Sequence, residues 1–169
     1  ALTTTLIELR LKRGLSVILG DIGTGKTSLS RKLVKELHSR PDFVFHVILN
    51  PFFESEVEFL RSLIHNFQMP SFENLENAKA SELRNAFEKF LLNENLSQAR
   101  TIILIIDEAQ KLSLDMLESL RILLNYETNE YKLIQLVLLG QMELVPKIIE
   151  IPNFYDRIDF KFTLNPLGF

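Results

Sequence analysis

Gly20-Asp21-Ile22-Gly23-Thr24-Gly25-Lys26-Thr27 puts three glycines, a lysine and two hydroxyls within eight consecutive residues. Glycines let the backbone curl tightly, so successive N–H groups face one concavity. A helical pattern starts at once after it, adding unpaired N–H groups and the positive end of a helix dipole. Such a turn is a cradle for phosphate. Gly20, Ile22, Gly23, Thr24, Gly25, Lys26, Thr27 and Ser28 form it, the Lys26 ammonium reaches the β- and γ-phosphates, and the Thr27 hydroxyl binds Mg²⁺. With glycine at about 7% of residues, the four fixed positions match by accident in roughly one chain of this length in a few hundred.

A second cluster lies far along the chain. Ile102-Ile103-Leu104-Ile105-Ile106 runs directly into Asp107-Glu108. Five apolar residues in a row need cover on both faces, as in a central parallel strand. The two carboxylates then emerge at the strand's C-terminal end, the edge where open α/β sheets bind ligands. Asp107 is suited to the Mg²⁺ hydration shell, opposite Thr27. Glu108 is suited to orienting and polarising an attacking water. A phosphate cradle with a water-activating carboxylate describes hydrolysis of a nucleoside triphosphate.

The elements that position these groups alternate short apolar runs with longer amphipathic ones, which is an α/β pattern. Residues 2–13 read as a helix ended by Gly14, residues 16–19 as a buried strand, and residues 26–39 as a helix with Leu29, Leu33 and Leu37 on one face. Residues 43–49 form a second strand. Ser55-x-x-Glu58 is a capping box opening a helix to about Phe67. Residues 68–79 are a polar connection and the expected mobile loop. A helix over 80–92 precedes the acidic strand at 101–106. Ser113 caps a helix carrying Leu117, Leu120 and Leu124. A fourth strand covers 133–139, a helix 143–150 and a short fifth strand 159–163.

Composition narrows the function. With 169 residues, 46% hydrophobic and 24% charged, the chain buries one domain's core and is not a disordered tail. It has no cysteine, which excludes thiol catalysis, Cys-ligated zinc and disulfides. His38, His46 and His65 lack metal-site spacing. Net charge is −3, so nucleic acid is not the favoured partner, although Arg10, Lys12 and Arg13 cluster, as do Arg31, Lys32 and Lys35. The longest apolar run is far short of the roughly 20 residues that span a bilayer. The chain opens on Ala1-Leu2-Thr3 without an initiator Met and reads as a piece of something longer.

In their order along the chain, the phosphate turn, Ile106-Asp107-Glu108-Ala109-Gln110, Leu138-Leu139-Gly140-Gln141, Arg157-Ile158 and Leu164-Asn165-Pro166-Leu167 resemble AAA+ ATPases. The strings IDEAQKLS, LRILLNYET and LLGQMEL are most similar to the general secretion pathway protein A (ExeA-type) ATPases, whose relatives include pilus-biogenesis ATPases and ATP-binding helpers of transposases. The resemblance runs from about residue 2 to residue 167. It implies a three-layer P-loop NTPase core of the ASCE/AAA+ type, with helices on both faces of a parallel five-stranded sheet of order 5-1-4-3-2. It also implies that the acidic strand stands beside the phosphate-turn strand. A helical lid follows the fifth strand in such proteins. Residues 1–169 are therefore expected to be the nucleotide-binding core of a longer protein, with the lid absent.

The resemblance assigns further roles. Gln141 matches the sensor that contacts the γ-phosphate or the attacking water. Asn50 matches the polar partner of the catalytic Glu108. Arg157 matches the arginine finger, which acts on a neighbouring subunit's nucleotide and so implies a homo-oligomer. Leu11 and Leu15 are expected to wall the adenine pocket. ATP is favoured over GTP, since no guanine-reading Asn/Thr-Lys-x-Asp string is present. The implied function is an ATP-binding, Mg²⁺-dependent hydrolase serving secretion or pilus assembly in the cytoplasm, or as the cytoplasmic part of an inner-membrane protein. The alternative is an ATP-dependent DNA-binding helper of a transposition system.

Overall fold

Residues 102–106 are all completely buried, and their side chains divide between two cores. Ile102, Leu104 and Ile106 belong to one cluster, Ile103 and Ile105 to another. Alternation along a strand makes this division unavoidable once both faces are covered. A computed structural model describes residues 1–21, 25–69 and 75–164.

The elements are α1 (Leu2–Leu11), β1 (Leu15–Leu19), α2 (Lys26–His38), β2 (Phe43–Ile48), α3 (Glu56–Asn66), α4 (Ala80–Leu92), β3 (Thr101–Ile106), α5 (Leu114–Leu123), β4 (Ile134–Gly140), α6 (Leu144–Glu150) and β5 (Ile158–Thr163). The sheet is wholly parallel, in the order β2-β3-β4-β1-β5. That is the expected order read from the other edge. One expectation fails: the acidic strand β3 does not lie beside β1. β4 sits between them, with Ile106 opposite Leu138 and Leu19 opposite Gly140. The end of β4 therefore becomes part of the site.

On one face, Leu9 of α1 and Leu29, Leu33 and Leu37 of α2 pack on Ile18, Ile103, Ile105, Val137 and Leu139. On the other, Phe59, Leu63, Phe87, Leu117, Leu120 and Ile148 bring α3 to α6 onto the even positions of β3. Each fully buried Leu, Ile or Phe contributes about 1.5–3 kcal/mol. Among the described residues no helix is long and apolar enough to cross a membrane.

Local signals mostly act as expected. Ser113 caps α5, its hydroxyl accepting from the Met116 N–H at 3.2 Å. Ser55 caps α3 through Glu58 N–H at 3.1 Å, but the reciprocal half of the box shifts by one residue. The Glu58 carboxylate accepts from Glu54 N–H at 2.6 Å instead of from Ser55. Short 3₁₀ turns at Leu75–Asn77, Ala109–Lys111 and Tyr155–Arg157 were not anticipated, nor was the π-helical turn Asn93–Ser97 after α4. Residues 70–74 of the polar connection lie outside the described residues.

Candidate functional site

Because every strand pair is parallel, Gly20, Asn50, Asp107 and Gln141 all follow strand ends at one edge of the sheet. Ile22, Gly23 and Thr24 lie outside the described residues. The two ends of the phosphate turn are described. Gly20 leaves β1 with its N–H donating to Gly140 O at 3.0 Å, which ties the turn to β4. Gly25 caps α2 at φ +86, a left-handed conformation that disfavours any side chain. Among the described residues, a Cβ placed on Gly25 would meet no heavy atom within 4 Å. The first turn of α2 holds no acidic residue, leaving its N–H groups and dipole for an external anion. Thr27 and Ser28 are exposed, whereas Lys26 is buried.

At the end of β3, the Asp107 N–H still donates to Ile48 O at 2.8 Å. The chain then turns sharply. Glu108 takes a left-handed φ of 54, and its N–H donates to Asp107 Oδ1 at 2.8 Å. Such a conformation carries roughly 1–3 kcal/mol of strain in a non-glycine residue; Lys12, Gln68, Ala99 and Asn153 adopt it as well, so what distinguishes Glu108 is where the turn aims its carboxylate. The turn brings the Glu108 carboxylate toward α2. Its Oε1 lies 3.9 Å from Lys26 Nζ, and its Oε2 accepts from Gln110 Nε2 at 2.6 Å. Two motifs from distant parts of the chain thus meet through a cation and a carboxylate.

Sequence reasoning quoted Gln110 only as part of a motif. In the fold its Oε1 accepts from the Gln141 N–H at 3.1 Å, so one amide joins Glu108 to the exit of β4. Lys147 of α6 donates to Gln110 O at 2.6 Å and Leu112 O at 3.0 Å, fixing the 3₁₀ turn beneath it. Gly140 matters here as well: a Cβ on it would lie 3.1 Å from Gln110 Oε1 and 3.3 Å from Gln110 N. A glycine at a strand end was the one available signal of this close approach.

The remaining predicted residues divide. Gln141 and Asn50 stand at the same edge. Asn50 is exposed and, among the described residues, makes no side-chain hydrogen bond to Glu108; Gln110 and Lys26 contact that carboxylate instead. Arg157 stands at the opposite edge. It precedes Ile158, which pairs with Leu15 at the start of β1, so four strand steps separate it from Leu19. That is about 13 Å at ~3.3 Å per residue, too far for action on the same subunit's turn. Leu15 is buried at that far end and cannot wall a pocket beside the turn. Arg157 instead helps, after Lys132, to hold the Glu127 carboxyl below its ordinary range. Of the basic clusters, Lys12 is taken up by Asn95 at 2.8 Å and by the Tyr131 ring, and Arg13 by Glu8. Arg31, Lys32 and Lys35 are exposed on α2.

The donor set fits Mg²⁺. One hydroxyl, Thr27, and the Asp107 oxygen not engaged by Glu108 N–H are hard ligands at the same edge. Mg²⁺ keeps several waters and needs one or two protein oxygens besides phosphate. Among the described residues no group of three or more His, Cys, Asp or Glu could hold a metal by themselves.

Residues 9–148 match the AAA domain family. Over 159 residues the chain is 35% identical to General secretion pathway protein A of Aeromonas hydrophila, covering 92% of this chain and 27% of that protein's length. Among solved structures, the fold is shared with the ORC2 protein of Aeropyrum pernix, solved in ADPNP–ADP complexes (TM-score 0.69, 18% identity, 96% of this chain and 45% of that one). Cdc6p of Pyrobaculum aerophilum is similar to the same degree (TM-score 0.71, 17% identity, 98% and 44%). On the family match over residues 9–148, together with the sheet order, the chain belongs to the AAA family of ATPase domains.

Proposed function

We propose that this chain is the ATP-binding and Mg²⁺-dependent ATP-hydrolysing module of a secretion or pilus-assembly ATPase. The observation that carries the chemistry is the meeting of buried Lys26 with Glu108, 3.9 Å apart, at the C-terminal edge of the sheet. The process rests on the 35% identity to General secretion pathway protein A.

In this reading the turn from Gly20 to Ser28 binds the phosphates through backbone N–H groups, and Lys26 turns from Glu108 to the β- and γ-phosphates. Thr27 and Asp107 would hold Mg²⁺, which would supply charge neutralisation at the phosphates. Glu108 takes the proton of a water whose oxygen attacks the γ-phosphorus. The β–γ bridging oxygen leaves with its electron pair on ADP, and the proton passes to inorganic phosphate. Gln141 contacts the γ-phosphate or that water, and Asn50 is a polar neighbour at the same edge. Arg157 serves an adjoining copy, since the sheet separates it from its own turn; this requires a homo-oligomer. In this reading the module works in the cytoplasm, where ATP is available, either by itself or as the cytoplasmic domain of an inner-membrane protein. The test is phosphate release from MgATP. Steady release that EDTA stops and Glu108→Gln lowers by about 10²–10⁴-fold supports the reading. Release at the unmodified rate in Glu108→Gln overturns the role of that carboxylate.

A further inference from the structure

Among the described residues two groups contact the Glu108 carboxylate, and only one of them stays in the proposed reaction. Lys26 must leave Oε1 to reach phosphate. What remains is the Gln110 amide on Oε2, at 2.6 Å. The orientation of that amide is fixed by its partners. A carboxylate only accepts and a backbone N–H only donates, so Nε2 faces Glu108 and Oε1 faces Gln141 N–H. The amide is held from below by Lys147 on the Gln110 carbonyl and alongside by the bare Cα of Gly140. Glu108, in a left-handed conformation after β3, has no regular secondary structure to fix its side chain.

We infer that Gln110 is the positioning residue of the site: it holds the Glu108 carboxylate in place and couples it to the backbone of Gln141 at the end of β4. The inference rests on the hydrolase reading above and adds a residue to it. Gln110 touches neither phosphate nor water in this account. It acts through Glu108 on one side and through the sensor strand on the other, so a shift at the end of β4 moves the carboxylate. Groups of this kind, one shell away from the reacting atoms, commonly change activity by about 10–100-fold when removed.

Two near-isosteric variants of the full chain separate positioning from mere packing. Gln110→Met keeps the length and removes both hydrogen bonds. Gln110→Glu keeps the shape and the acceptor toward Gln141 N–H, but sets a second carboxylate against Glu108. Positioning predicts that both lower kcat for MgATP by about 10–100-fold, with KM changed less than about twofold and melting temperature retained. A packing role predicts that Gln110→Met, which keeps the length and the apolar contacts, behaves as the unmodified chain. A readout without turnover is ¹⁵N NMR of the nucleotide-free protein. Glu108→Ala must shift the Gln110 side-chain amide pair, and Gln110→Met must shift the Gln141 backbone amide. Unchanged kcat in both variants, or unmoved resonances, overturns the inference. An unmodified chain that releases no phosphate while these resonances respond overturns the hydrolase reading and leaves the bridge standing.

Discussion

Replacing Lys26 by Met separates what this lysine does for the fold from what it does for the ligand. The side chain is 9% exposed, and its ion-pair partner Glu108, at 3.9 Å, is 32% exposed. At about 4 Å and an effective dielectric near 20, the attraction is about 4 kcal/mol. Removing an ammonium from water costs several kcal/mol, so the two terms nearly cancel. Met keeps the unbranched stem, and the freed Glu108 is exposed enough to rehydrate. Stability without nucleotide should change by no more than about 1 kcal/mol, or roughly 2–4 °C in melting temperature for a domain of this size. With nucleotide, Lys26 exchanges one carboxylate for two phosphate groups, a net gain of about one such pair. Losing it should weaken MgATP by about 3 to 4 kcal/mol, or roughly 10²–10³ in Kd. Calorimetric melting without nucleotide and titration with MgATP read the two effects separately. A Kd within about threefold of the unmodified value, or a melting temperature lowered by more than about 8 °C, would falsify the assignment of Lys26 to phosphate.

Three further outcomes are expected. Arg157→Ala should leave ADP affinity unchanged while lowering hydrolysis, and mixing it with Lys26→Met chains should restore part of the rate, because each supplies what the other lacks across an interface; no recovery on mixing at any protein concentration removes the trans role. Ser113→Ala loses the cap of α5 and should lower stability by about 1 kcal/mol with no effect on MgATP binding, checked by urea unfolding. Burial against Phe67 holds the His46 pKa below its ordinary value, so the unfolded chain takes up a proton near pH 6.5 that the fold resists. Stability present above that pH falls as pH drops through the folded pKa, and His46→Gln should flatten this part of the melting-temperature profile; an unchanged slope excludes His46 as its source.

Legibility in the sequence followed the range of the interaction involved. The apolar run of β3, the helix start after Gly25 and the Ser113 cap are local, and each appears where the residues predict. The Glu58 carboxylate strays by only one residue, to the Glu54 N–H at 2.6 Å. Non-local placement was harder to read. β4 enters between β1 and β3 from later in the chain, so the adjacency expected of the acidic strand was wrong although the strand order was right. The same insertion explains why Gln110 went unnoticed, since its second partner, Gln141, arrives with β4. Asn95 shows the same limit. It is buried in the π-helical turn, donates to Leu91 O and Leu133 O and accepts from Lys12, so an unremarkable polar residue closes three segments together.

The edge formed by Gly25, Lys26, Thr27, Asp107 and Glu108 is proposed to bind a nucleoside triphosphate with Mg²⁺. Isothermal titration of the unmodified chain with ATP, with and without Mg²⁺, tests it most directly. Saturable binding of one ATP per chain, in the micromolar to millimolar range usual for enzyme substrates and weakened when Mg²⁺ is removed, is the predicted result. No saturable heat with ATP or ADP up to millimolar concentration, from a chain that melts cooperatively, would contradict it.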